Sequence, residues 1–417
     1  MSRLRALLTL GPVALLAAAA AYEAARTFKA QELLKPDQIK GPHHQVADAV
    51  PTEGYFHLFE VKTDWGEAGA EGLSLLRVRL EEVNALAQLD DVSKSEVFLK
   101  SAGGAVLNVG KGIGALVTDP GGTAKNLGGG LKRFGTNLGR KAKRTSDQVA
   151  DDAKGDDKQQ EASDKSGAEK TADAAGGVAN SVLGVNGAAR KWAQKVGADP
   201  YTTNPVLKKA LTDLGKIDAA GSIATKVVLP IPPVVSTTAS VSNMVWAKDP
   251  EALLKENEAE FKSLGVTDAT IKKLYLSKGF TLTLHTRLAQ ALSAVKATGS
   301  AEYVATAAES DTEREALFFC ESAEWLRRFH ETTPVEALLP ESRAAIAKTK
   351  DGRAVALVPV DWIQWTAPVA KAVTEAAART KKQFGVTSIE LRITGRASDV
   401  AKKEVATAGW KLTENGQ

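Results

Sequence analysis

The chain has 417 residues, 43% hydrophobic and 25% charged, with a formal net charge of +4. This length accommodates two or three domains, and the composition fits a globular class rather than a wholly disordered chain. The charge excess is too small to point to nucleic acid, and a single cysteine, Cys320, excludes an intramolecular disulfide.

The chain opens "MSRLRALLTLGPVALLAAAAAYEAARTFKA", with Arg3 and Arg5 ahead of an apolar run from Ala6 to about Ala21. Residues 1–25 therefore read as a secretory signal peptide or an uncleaved anchor, and the protein as exported to the bacterial periplasm or envelope. No cysteine follows the apolar run, so a lipoprotein anchor at this end is excluded. Residues 26–53 are polar and irregular and read as a tether, with His43 and His44 as solvated side chains. Residues 54–118 read as a small α+β element. "YFHLFEVKTDW" makes a strand, and Leu73, Leu76, Leu80, Val83 and Leu86 line one face of the helix that follows.

Residues 119–145 form a Gly-rich basic segment, and Gly121–Arg144 holds seven Lys or Arg and no acid. Its glycines miss the spacings of both phosphate-binding loops, so a nucleotide cradle is rejected. On a helix, Leu127, Leu131, Phe134 and Leu138 fall on one narrow face. Lys125, Lys132, Arg133, Arg140, Lys143 and Arg144 spread over the far side, and Lys141 supplies the seventh charge. Each glycine costs a helix about 0.8–1 kcal/mol relative to alanine, while each basic residue near an anionic bilayer contributes about 1 kcal/mol. The pattern fits a segment that contacts a membrane surface or an anionic envelope polymer; a plain basic linker is the alternative. Nucleic acid is not expected, because aromatic stacking partners are missing.

Residues 146–177 read as a disordered acidic linker, with almost no large apolar side chain. Residues 178–338 read as a helical bundle. Asp249-Pro250 starts one helix, Thr267 caps another that stops near Gly279, and Ser310 with Glu313 makes a capping box for the helix carrying Cys320. Residues 339–417 alternate strand and helix after a hairpin about Asp351-Gly352, which predicts a small α/β sheet. The fold class is thus multi-domain α+β.

Complete catalytic constellations are missing. Cys320 lies on an apolar helical stripe and reads as a buried thiol, and Ser293-Ala294-Val295-Lys296 is a chance match to an acyl-transfer motif. No metal or cofactor is expected. The carboxyl ends of the parallel strands offer one candidate ligand edge, formed by Asp361, Trp362, Trp365, Arg396 and Ser398. The sequence therefore points to an exported, non-enzymatic envelope protein of structural or interaction type, with a protein partner as well as the anionic surface. The alternative is a periplasmic enzyme, or a carbohydrate- or peptide-binding module, working at that edge.

Overall fold

A computed structural model describes residues 22–95, 98, 187–221 and 239–416. Six short strands open it: β1 (Arg26–Lys29), β2 (Lys40–Gly41), β3 (His44–Val46), β4 (Ala49–Glu53), β5 (Phe56–Thr63) and β6 (Gly66–Glu71). They form one antiparallel sheet about β5, with β6 along one edge and β4 then β3 along the other. Two single-turn helices, α1 (Ala30–Leu33) and α2 (Pro36–Ile39), lie between β1 and β2. Residues 26–53 therefore hold strands β1–β4 and two short helices, and the tether expectation is corrected. Phe28 and Val50, opposite each other in the β1–β4 ladder, are both buried. The strands carry few apolar residues each, and their pairing depends on partners roughly 20 residues away, which no local pattern announces.

Helix α3 (Leu73–Lys94) follows directly, with Leu76, Val83 and Leu86 buried and Leu73 and Leu80 packed at the rim of the core. Gly72 precedes it at φ 94°, where a Cβ would come within 3.1–3.4 Å of Phe56, Arg314 and Asp361. Only glycine meets both demands there.

The helical layer comprises α4 (Gly187–Lys195), α5 (Pro205–Gly221), α6 (Ala239–Ala247), α7 (Pro250–Ser263), α8 (Asp268–Tyr275), α9 (Leu282–Val295), α10 (Ser300–Ala307) and α11 (Glu313–Thr332). Asp249 and Thr267 accept from the backbone of Ala252 and Thr270, as N-caps should. Helix α8 ends at Tyr275, short of Gly279. The cap of α11 is Thr312 rather than Ser310: Thr312 accepts from Glu315 N, and the Glu315 carboxylate reaches back to Asp311 N. The Ser310 hydroxyl instead donates to Ala307 O and closes α10.

The C-terminal part contains β7 (Val335–Leu338), β8 (Ala345–Thr349), β9 (Ala354–Val358), β10 (Trp362–Ile363), α12 (Ala367–Phe384), β11 (Ile389–Ile393), β12 (Arg396–Ala397), α13 (Asp399–Thr407) and β13 (Trp410–Thr413). The main sheet runs β13-β11-β9-β8-β7, parallel among β9, β11 and β13 and antiparallel at the β8–β9 hairpin. Gly352 turns that hairpin at φ 85°. Val369, Val373, Ala401 and Val405 place α12 and α13 on one face of the sheet, against Leu391, Ile393 and Trp410.

The result is a mixed α+β fold in which one buried cluster crosses all three regions. It joins Phe28, Val50, Phe59 and Leu76 to Leu253, Phe261, Leu288 and Leu326 of the helices, and to Val355 and Leu357 of the C-terminal sheet. Among the described residues, no helix is long and apolar enough to cross a membrane.

Candidate functional site

The ligand edge expected at the ends of β9 and β11 is a real structural junction. Strands β10 and β12 pair there in parallel, with Trp362 opposite Arg396 and Ile363 opposite Ala397. Asp361 turns inward: its Oδ2 accepts from His57 N and Leu73 N, each at 3.1 Å. Burial pushes its carboxyl up to about 6, opposed by the His57 amide, Arg314 and the Leu73 amide. Asp361 thus caps the first turn of α3 from the bend just before β10, nearly 290 residues further along the chain. Arg396 is exposed, so the two groups face different surroundings and do not form an acid–cation pair.

The tryptophans are packing elements. Trp365 is buried in the core under α12, and Trp362 lies edge-on to Phe28 at 5.2 Å. The Ser398 hydroxyl accepts from Ala401 N as the cap of α13 and donates to Glu23 Oε2 at 2.5 Å. The same Glu23 oxygen takes the amide of Trp365 at 2.6 Å. This part of the expected ligand edge therefore holds a carboxylate of the chain itself. Glu23 is an inconspicuous residue just after the apolar leader, and its sequence position carries no signal of this contact.

A second concentration of polar groups lies between α3, α11 and the loop before α5. Arg79 donates to Glu82 (3.0 Å) and Glu313 (2.6 Å). Glu82 also accepts from Thr202 and Asn204, and Glu313 from Thr203. Beside them Asp199 accepts from Thr283 Oγ1 and Tyr201 N, and burial pushes its carboxyl up to about 6. Nearby Glu313 and Glu82 act in the same direction, against the two hydrogen bonds. These acceptors are engaged within the protein, so the cluster works as a clasp fastening residues 199–204 onto α3, α9 and α11. The pair Arg79 and Glu82, three apart on the inward face of α3, was the available sequence signal.

Lys125, Leu127, Leu131, Lys132, Arg133, Phe134, Leu138, Arg140, Lys141, Lys143 and Arg144 lie outside the described residues. Phe98 is fully buried in a cluster with Val83, Leu86 and Leu89 of α3, and Trp192 and Ala193 of α4 belong to the same cluster.

Cys320 is buried in the core; its Sγ donates to Leu284 O, and burial pushes the thiol pKa well up, away from nucleophilic character. No group of His, Cys, Asp and Glu among the described residues is arranged to hold a metal. The chain matches no protein-family model, no curated protein and no solved structure.

Proposed function

We propose that this is an exported, non-enzymatic envelope protein that presents its Gly-rich basic segment to a membrane surface or anionic envelope polymer. The observation that carries the reading is the run of seven Lys or Arg with no acid between Gly121 and Arg144, together with the apolar face of Leu127, Leu131, Phe134 and Leu138. The internal use of Asp361 and Ser398 supports the non-enzymatic part, since both are engaged by the protein's own amides and carboxylate.

Cell fractionation tests it. The wild-type protein is expected in the envelope fraction and to be released by high salt, because surface charge attraction is screened. Replacement of Lys125, Lys132, Arg133, Arg140, Lys143 and Arg144 by Glu is expected to move it to the soluble periplasmic fraction. An unchanged distribution would remove the basic segment from the account.

A further inference from the structure

We propose that the chain is cut between Ala21 and Tyr22, and that Glu23 latches the new terminus onto the C-terminal lobe. The inference deepens the export reading and rests on it. From sequence, the leader extends to residue 25, yet Glu23 and Ala24 are hydrogen-bonded into the fold. Glu23 N donates to Trp365 O at 2.9 Å, and the Glu23 carboxylate accepts from Trp365 N and Ser398 Oγ. One residue on, the buried Gln364 side chain donates through Nε2 to Ala24 O. Four hydrogen bonds thus hold two consecutive residues, two of them to a carboxylate, the stronger kind.

A cut after Ala25 would discard this whole contact, leaving the cap hydroxyl of Ser398 and the amide of Trp365 without their acceptor. A cut after Ala21 keeps it. The sequence agrees: small residues are needed one and three positions before the cut, and Ala19 and Ala21 meet the requirement, whereas Glu23 would occupy the third position before a cut after Ala25. Tyr22 is 60% exposed, so the residue just after the proposed bond stands clear of the fold. The reaction is amide hydrolysis by a membrane-bound leader peptidase. Water adds across the Ala21–Tyr22 bond, leaving a carboxylate on Ala21 and an ammonium on Tyr22.

The test is the intact mass and N-terminal sequence of the full-length gene product after expression in an exporting bacterium. The expected first residue is Tyr22. Any other terminus in exported protein overturns it, including an intact Met1 or a start at Glu23 or later. Unprocessed protein confined to the cytoplasm overturns the export reading together with it. The latch has its own readout in aminopeptidase treatment of the processed protein. Trimming should halt at Glu23 in wild type and run beyond Ala24 in Glu23→Ala. Equal trimming of the two proteins removes the latch.

Discussion

Asp199 and Asp361 are two buried carboxyls whose chemistry departs from the ordinary. Each carboxyl is raised from 3.8 to about 6, chiefly by burial, so folding favours its neutral form. For such a group the associated stability is fully present below 3.8 and is lost as pH rises through about 6. His57 and His285 run the other way. Burial lowers both to about 4 from 6.5, so their contribution is present above 6.5 and lost as pH falls through about 4. The net pH profile mixes these opposing slopes, and a difference measurement separates them. Asp199→Asn should gain on wild type progressively between pH 4 and 6, reaching up to about 3 kcal/mol at pH 8. Urea denaturation across that range checks it; a constant offset would show that Asp199 does not titrate on folding. Arg287 and Glu324 form a bidentate pair inside the helical layer, at 2.8 and 2.9 Å. Glu324→Ala should cost about 3–5 kcal/mol by stranding the guanidinium, whereas Arg287→Met with Glu324→Leu should recover most of the loss. Urea midpoints of the single and double variants decide between a paired and a dispensable contact.

At the scale of elements, the helices were the legible part. Asp249 and Thr267 cap as their sequence context implies, the α3 stripe of Leu76, Val83 and Leu86 is buried, and the Asp351-Gly352 hairpin forms. These signals are local, repeating within one or two turns of chain. The strands between Arg26 and Glu53 were not legible, because β1 and β4 hold each other across an interval that propensity does not see. The Ser310 cap was misplaced by two residues because Ser310 and Thr312 compete for the same turn, and Ser310 is taken by Ala307 O. At the strand ends where the sequence puts a ligand edge, Asp361, Trp362 and Ser398 make contacts within the protein. The Asp361 carboxylate serves the N-terminus of α3, a tertiary role with no sequence motif. Asp361→Ala should therefore destabilise the protein by about 2 kcal/mol, since two buried amides lose their acceptor. Hydrogen exchange should show the loss concentrated in the first turn of α3. Uniform loss of protection along the whole helix would contradict the capping role.

For the whole molecule, the decisive feature is the shared core. Phe59 of the N-terminal sheet, Leu288 of the helical layer and Leu357 of the C-terminal sheet lie in the same buried cluster. Regions that share buried surface this way lose it together, so calorimetry should give one unfolding transition with equal calorimetric and van't Hoff enthalpies. Two resolved transitions would mean that the sheets fold independently of the helices. The proposed function gives the interacting role to the basic segment Gly121–Arg144, which holds seven Lys or Arg and no acid. The measurement closest to that claim is co-sedimentation of the full-length protein with vesicles rich in anionic lipid, set against neutral vesicles. The account predicts binding to anionic vesicles only, lost on raising salt from about 0.05 to 0.5 M and lost in the Lys/Arg→Glu variant. Equal binding by wild type and that variant, or no binding by either, would contradict it.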